Sequence, residues 1–238
     1  IMVKRLLGVL PAVAVILGVG MLISSLLRAN SVPAGGAATP GEDPPTLIVV
    51  IDAGHGGVGG GAVGVATGVV EAELTRQYAY ALKAELEARG MTVVMTSTDE
   101  NALASGKKSD MAARKKIMNG SGADIVVSIH MNKFTDRSVC GPMAFYEKGS
   151  EEGKLLATAV ITGVCEALER RVRLASPADY YIIRESDMPA VLVECGFLSN
   201  ASDEALVQTD DYRDALVRGI ADGGEFDFGI PQQGPPTG

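Results

Sequence analysis

Histidine occurs twice in this 238-residue chain, and His55 lies among glycines in LIVVIDAGHGGVGGGAVG, Leu47 to Gly64. Two chemistries suit such a loop. Gly54-His55-Gly56-Gly57-Val58-Gly59 matches the G-x-G-x-x-G pattern, in which glycines let the backbone close on a pyrophosphate at a helix N-terminus. Equally, the glycines could clear space around an imidazole that binds a metal. A dinucleotide loop opens a helix at once and is followed about 20 residues later by an acid for the ribose hydroxyls. Here glycines continue to Gly64, the helical pattern waits until Glu71, and the candidate acids Asp99 and Glu100 lie much further along. No Gly-Lys-Ser/Thr follows, which excludes a P-loop.

The metal alternative needs more residues. A catalytic zinc site takes three ligands of the His/His/carboxylate kind and keeps a position for water. His55 and His130 supply two. Glu71, at the start of the helix after the glycine loop, is the natural third; Glu73 is its rival on a different helix face. An acid in a first helical turn is also stabilised by the helix dipole without any further role. Another carboxylate, Glu194, closes the apolar run AVLVE, and strand alternation sends Val193 and Cys195 to the opposite face. Asp52 either supports an imidazole by a hydrogen bond or anchors the loop. Arg114 reads as a structural ion-pair partner. Tyr180 and Tyr181, read as strand residues, alternate faces, so at most one lines a groove.

A scaffold has to deliver these groups to one place. Apolar patterning predicts strands over Leu47–Ile51, Thr92–Thr96, Ile125–Ile129, Met143–Tyr146, Tyr180–Ile183 and Val191–Val193. It predicts helices over Glu71–Arg89, Asp110–Asn119, about Glu151 to Arg170, and Asp211–Asp222. Alternating strands and helices imply a single α/β domain: a mostly parallel sheet with helices on both faces and the site at the carboxyl ends of the strands. His55, His130 and Glu194 then emerge on one side of three separate strands.

Composition narrows the partners. Formal net charge is −8, which argues against nucleic acid, because neutralising phosphates takes clustered Lys and Arg. Tryptophan is absent, so no tryptophan platform for sugars is available. Cys140, Cys165 and Cys195 form no C-x-x-C pair and read as small buried side chains. Residues 1–28 carry Lys4-Arg5 ahead of an uncharged apolar run from Leu6 to Leu27, long enough to cross a bilayer. We read them as a membrane anchor or a cleaved signal, either of which takes the protein out of the cytoplasm. Residues 29–46 read as a linker, 47–229 as the catalytic domain and 230–238 as a disordered tail.

The stretches VVIDAGHGG, GVVEAEL, MAARKKIMNGSGADIVVSIHMN and MPAVLVECGFLSN resemble the four blocks of the zinc-dependent N-acetylmuramoyl-L-alanine amidases. The likeness runs from Leu47 to about Phe228. It implies one zinc ion per chain held by His55, Glu71 and His130, with Glu194 as the catalytic carboxylate. The implied substrate is peptidoglycan, cut at the amide between muramic acid and L-alanine. Asn132 and Arg184 are then candidates to reach the glycan or the stem-peptide carboxylates. DAGHGG, VLVECGFLSN and a compact domain behind one apolar segment are most similar to the spore cortex amidases of the CwlD type. That finer likeness implies a place outside the inner membrane, in the forespore intermembrane space. It also implies an accessory cortex protein or a muramic acid deacetylase pathway as partner. In two respects the chain departs from the pattern. SIHMNKF carries bulkier residues beside His130, and the helical insertion that blocks some relatives is missing. The rival readings are a vegetative wall amidase, a zinc carboxypeptidase with Arg184 for the terminal carboxylate, and a non-catalytic peptidoglycan-binding protein.

Overall fold

Alternation with period two runs through the central strands of the computed structural model, which describes residues 46–56, 59–99 and 101–227. Six strands, β1 (Ile48–Ala53), β2 (Thr92–Met95), β3 (Ile125–Asn132), β4 (Met143–Glu147), β5 (Ser176–Ala178) and β6 (Ala190–Phe197), form one sheet of order β2-β1-β3-β6-β4-β5. The helices are α1 (Glu71–Ala88), α2 (Lys107–Asn119), α3 (Glu151–Ala167), α4 (Tyr181–Arg184), α5 (Ala201–Val207) and α6 (Asp210–Asp227). β1 pairs in parallel with β2 and β3, and β3 in parallel with β6; β4 joins β6 antiparallel. The sheet is therefore mostly parallel, as predicted.

Val49, Ile51, Val127, Ile129, Val191 and Val193 point to one face, where Leu82 of α1, Val160 of α3 and Leu216 of α6 cover them. Val50, Val126 and Leu192 point to the other, under Met118 of α2 and Ile182 of α4. Each such side chain contributes about 1.5–3 kcal/mol on burial, so the two faces lock the strand register. A one-residue slip would turn every polar residue of the second face into the larger core. The second face is where Asp52, Ser128, His130 and Glu194 stand. Asp52 is in register with Ser128, and His130 with Glu194.

Four expectations need correction. Tyr180–Ile183 is not a strand but enters the short helix α4, closed by Arg184 N–H donating to Tyr180 O (3.0 Å) and Glu185 N–H to Tyr181 O (2.9 Å). The β-prone Tyr-Tyr-Ile-Ile run is overridden because a turn lets the consecutive Ile182 and Ile183 both be buried. The strand of that region is β5, which holds Pro177 at the sheet edge, where a missing N–H is tolerated. β3 and β6 run on to Asn132 and Phe197, with a register irregularity between His130 and Asn132. α5, unforeseen, is capped by Asn200, whose side chain accepts from the Ser202 and Asp203 N–H groups. Residues 1–28, the linker up to residue 45 and the tail 230–238 lie outside the described residues. Among the described residues no helix is long and apolar enough to cross a membrane.

Candidate active site

Glycine makes the approach of the histidines possible. Past the end of β1, Gly54 N–H donates to Ile129 O on β3 (2.9 Å), and a Cβ at Gly54 would come within 2.4 Å of the His130 ring. The imidazole of His130 therefore lies against bare backbone. His55 follows with φ of +68°, in the left-handed region that side-chain-bearing residues seldom occupy. Glu71 is the first residue of α1. Gly61, with φ of +78°, leaves room for its carboxylate, since a Cβ there would stand 2.4 Å from Glu71 Oε2.

Glu71 Oε1 lies 3.2 Å from His55 Nε2 and 3.1 Å from His130 Nδ1. The carboxylate also accepts from Met131 N–H (3.0 Å) and Ala62 N–H (2.7 Å), so both oxygens are aimed by the backbone. Burial alone would raise the Glu71 pKa, but its bonds with His130 and His55 hold it well below the carboxylate range. One donor atom from each of His55, Glu71 and His130 lies within 4.8 Å of the others. Two imidazole nitrogens and one carboxylate oxygen on a rigid frame form a donor set that fits zinc. Glu73, the sequence rival, is exposed.

Glu194 stands beside this group. It is 7% exposed, and its Oε2 has no hydrogen-bond partner. Burial pushes the carboxyl up to about 7, opposed by the charge of His130 and reinforced by that of Glu71. All four side chains line a cavity of about 660 Å³. Tyr180 and Tyr181 both line it, contrary to the strand reading, because they sit at the entry of a helical turn and not on alternate faces of a strand.

Of the remaining predicted residues, Asn132 lines the cavity and Arg184 does not. Arg184 instead pairs with Asp179 and Glu185 on the surface. The Asp52 carboxylate accepts from Thr96 Oγ1, from Ser128 Oγ (2.8 Å) and from Arg114 Nη1 (2.9 Å), so it anchors the loop by way of Arg114 and does not hold an imidazole. Met131 and Lys133 of SIHMNKF line the cavity beside His130, whereas sequence reading missed Lys107 and Met111 on its walls. It also missed Glu204, which is 1% exposed and accepts from the Ala66 and Thr67 N–H groups (2.7 Å each), clamping the loop that leads to Glu71. No local signal marks such a clamp, since 138 positions separate Glu204 from Ala66.

Comparison with known proteins agrees with this geometry. A model of the N-acetylmuramoyl-L-alanine amidase family matches residues 49–224. The germination-specific N-acetylmuramoyl-L-alanine amidase of Bacillus subtilis (strain 168) is 30% identical over 185 residues, 74% of this chain and 77% of that protein. The amidase LytC of the same organism is 30% identical over 177 residues, 74% of this chain and 34% of LytC. Among solved structures, the CwlD amidase of Clostridioides difficile, in complex with the GerS lipoprotein, superposes with a TM-score of 0.71. It shares 27% identity, over 75% of this chain and 96% of that one. The chain belongs to the N-acetylmuramoyl-L-alanine amidase family. It is a zinc amidohydrolase, and its His55, Glu71 and His130 group fits the zinc dependence of that family.

Proposed function

We propose that this chain hydrolyses the amide between muramic acid and L-alanine in peptidoglycan, with His55, Glu71 and His130 holding one zinc ion and Glu194 moving the proton. The observation that carries this reading is the convergence of the three donors within 4.8 Å in the cavity that Glu194 lines. Zinc in such a site polarises a carbonyl and makes water a stronger nucleophile near neutral pH. Glu194, with Oε2 free and a carboxyl near 7, accepts the proton of the attacking water and delivers it to the leaving L-alanine nitrogen. Its burial keeps bulk water from competing for that oxygen. His130 and Glu71 hold their geometry through Gly54 and Gly61, so the reaction costs little reorganisation.

Mass spectrometry of digested peptidoglycan tests the reaction. The amidase reading expects stem peptides that begin with a free L-alanine amine; loss of a C-terminal amino acid would instead mean carboxypeptidase activity. The carboxypeptidase reading needs an arginine for a terminal carboxylate, and Arg184 is committed to Asp179 and Glu185 away from the cavity.

The setting we infer is the spore cortex, with the domain delivered outside the inner membrane by residues 1–28, as an anchor or a cleaved signal. Support comes from DAGHGG and VECGFLSN and from the similarity to the germination-specific amidase and to CwlD. A lipoprotein or another cortex protein is then a fitting accessory, as in the CwlD complex with GerS. Stem-peptide removal precedes the deacetylation that lets muramic acid close into its δ-lactam. Deleting the gene should remove muramic δ-lactam from cortex. LytC is as similar in identity, so unchanged lactam with impaired separation of dividing cells would place the enzyme in vegetative wall turnover.

A further inference from the structure

We propose that Arg114 is the positioning residue of the metal site: its guanidinium holds the backbone of His55 in the left-handed conformation that aims the imidazole at Glu71 and His130. The inference rests on the ligand reading above and adds to it a residue that touches neither metal nor substrate. Arg114 projects from α2 and is 2% exposed. Nη2 donates to His55 O, and Nη1 to both Ala53 O (2.6 Å) and Asp52 Oδ1 (2.9 Å). Nε donates to Asp110 Oδ2 (2.8 Å), so each guanidinium nitrogen has an acceptor.

Those bonds fall where the chain needs restraint. A residue with a side chain resists a φ of +68°, and His55 sits between glycines that impose no conformation of their own. Gly54 is fixed by its N–H bond to Ile129 O, and the carbonyl on the far side of His55 is fixed by Arg114. Thr75 Oγ1 of α1 donates to Gly54 O (2.7 Å), so the peptide units flanking His55 are tied to α1 and, through Arg114, to α2. The fork is itself braced. Asp52, 1% exposed, takes donors from Thr96 at the end of β2 and Ser128 on β3 as well as from Arg114. Asp110 also accepts from Leu103 N–H (2.7 Å), which ties Arg114 to the polar loop walling the cavity. A guanidinium can serve carbonyl, carbonyl and carboxylate acceptors together because its N–H groups form a rigid fork; an ammonium is a point donor that cannot span them.

Zinc affinity, and not activity alone, is the readout that separates positioning from bulk stabilisation. Zinc dissociation constants of the full chain, stripped and titrated in competition with a chromogenic chelator, are compared for wild type, Arg114→Lys and Val164→Ala, alongside melting temperatures of the metal-free proteins. Val164 is buried in α3 on the opposite face of the sheet and serves as the destabilised control. Arg114→Lys should weaken zinc about 10–100-fold, the usual effect of removing a residue that orients a ligand, while Val164→Ala stays within about twofold of wild type. Zinc affinity of Arg114→Lys within about twofold of wild type, or equal weakening in Val164→Ala, overturns the proposal. Should Arg114→Lys not fold, Asp52→Asn, which loosens the fork while leaving Arg114 in place, carries the same expectation of weaker zinc, and unchanged affinity there overturns it too. His130→Ala keeps the two questions apart. If that variant binds zinc normally, the ligand reading fails; if it loses zinc while Arg114→Lys does not, the positioning role alone fails.

Discussion

His130 and Glu194 are cross-strand partners. β3 and β6 run parallel with these two residues in register on one face of the sheet, so the imidazole we assign to the metal and an unpartnered carboxylate are placed side by side by backbone pairing. A register set by two cores cannot slip without burying polar groups, so the geometry of the reaction centre inherits the rigidity of the sheet. Consequences follow for each member of the site.

Glu194→Gln should keep its zinc and lose turnover by about two to four orders of magnitude, the scale of general acid–base catalysis. Metal analysis and kinetics on one preparation check this. Near-normal turnover would show that another group moves the proton.

The pH profile follows from the same residue. Because only the carboxylate can accept a proton, kcat/KM should rise with pH through an acid limb. The protein's own groups set Glu194 at about 7, and a divalent cation beside it pulls that value down, so the limb should fall at or below pH 7. A limb above pH 8 would contradict the assignment.

Gly54→Ala tests the close approach of His130. The added methyl would lie 2.4 Å from the ring, so the imidazole must move and zinc affinity must fall even though every ligand is still present. Unchanged zinc affinity would mean that His130 does not need that position.

Acid stability should depend on Asp52. Burial alone would raise its pKa, but Arg114, with Thr96, His130 and Ser128, brings it below the usual value. A depressed carboxyl pKa contributes stability above its unfolded value of about 4, and that stability is lost as pH falls through the lower folded value. Denaturant unfolding of the metal-free protein from pH 6 down to pH 2 should therefore show a steeper loss below about pH 4 in wild type than in Asp52→Asn. Parallel curves would remove Asp52 from the account.

Much of this was legible in the sequence for a physical reason. His55 and His130 each come at the carboxyl end of a mostly apolar strand, and parallel strands deliver their ends to one side, so the two imidazoles could be placed together from patterning. Glu194 followed from alternation within AVLVE. Glu71 was the natural third ligand from its place at the start of the helix, with Glu73 as rival and a plain helix-dipole role equally open, until its block resemblance was considered. What could not be read depends on contacts distant in sequence. Nothing near Arg114 shows that it reaches the carbonyl of His55, and nothing near Glu204 shows that it clamps Thr67. Tyr180–Ile183 failed for a local reason: its side chains favour strand, while burying Ile182 and Ile183 together favours a turn. The antiparallel insertion of β4 between β6 and β5 likewise leaves no mark in composition.

The most direct measurement of the central claim is hydrolysis of peptidoglycan in water enriched with oxygen-18 by the zinc-loaded protein, with products resolved by mass spectrometry. The account predicts one labelled oxygen in the lactyl carboxylate of muramic acid, an unlabelled stem peptide with a free L-alanine amine, and no reaction with His130→Ala. Label appearing in a peptide carboxylate, with the bond from muramic acid to L-alanine intact, would contradict it.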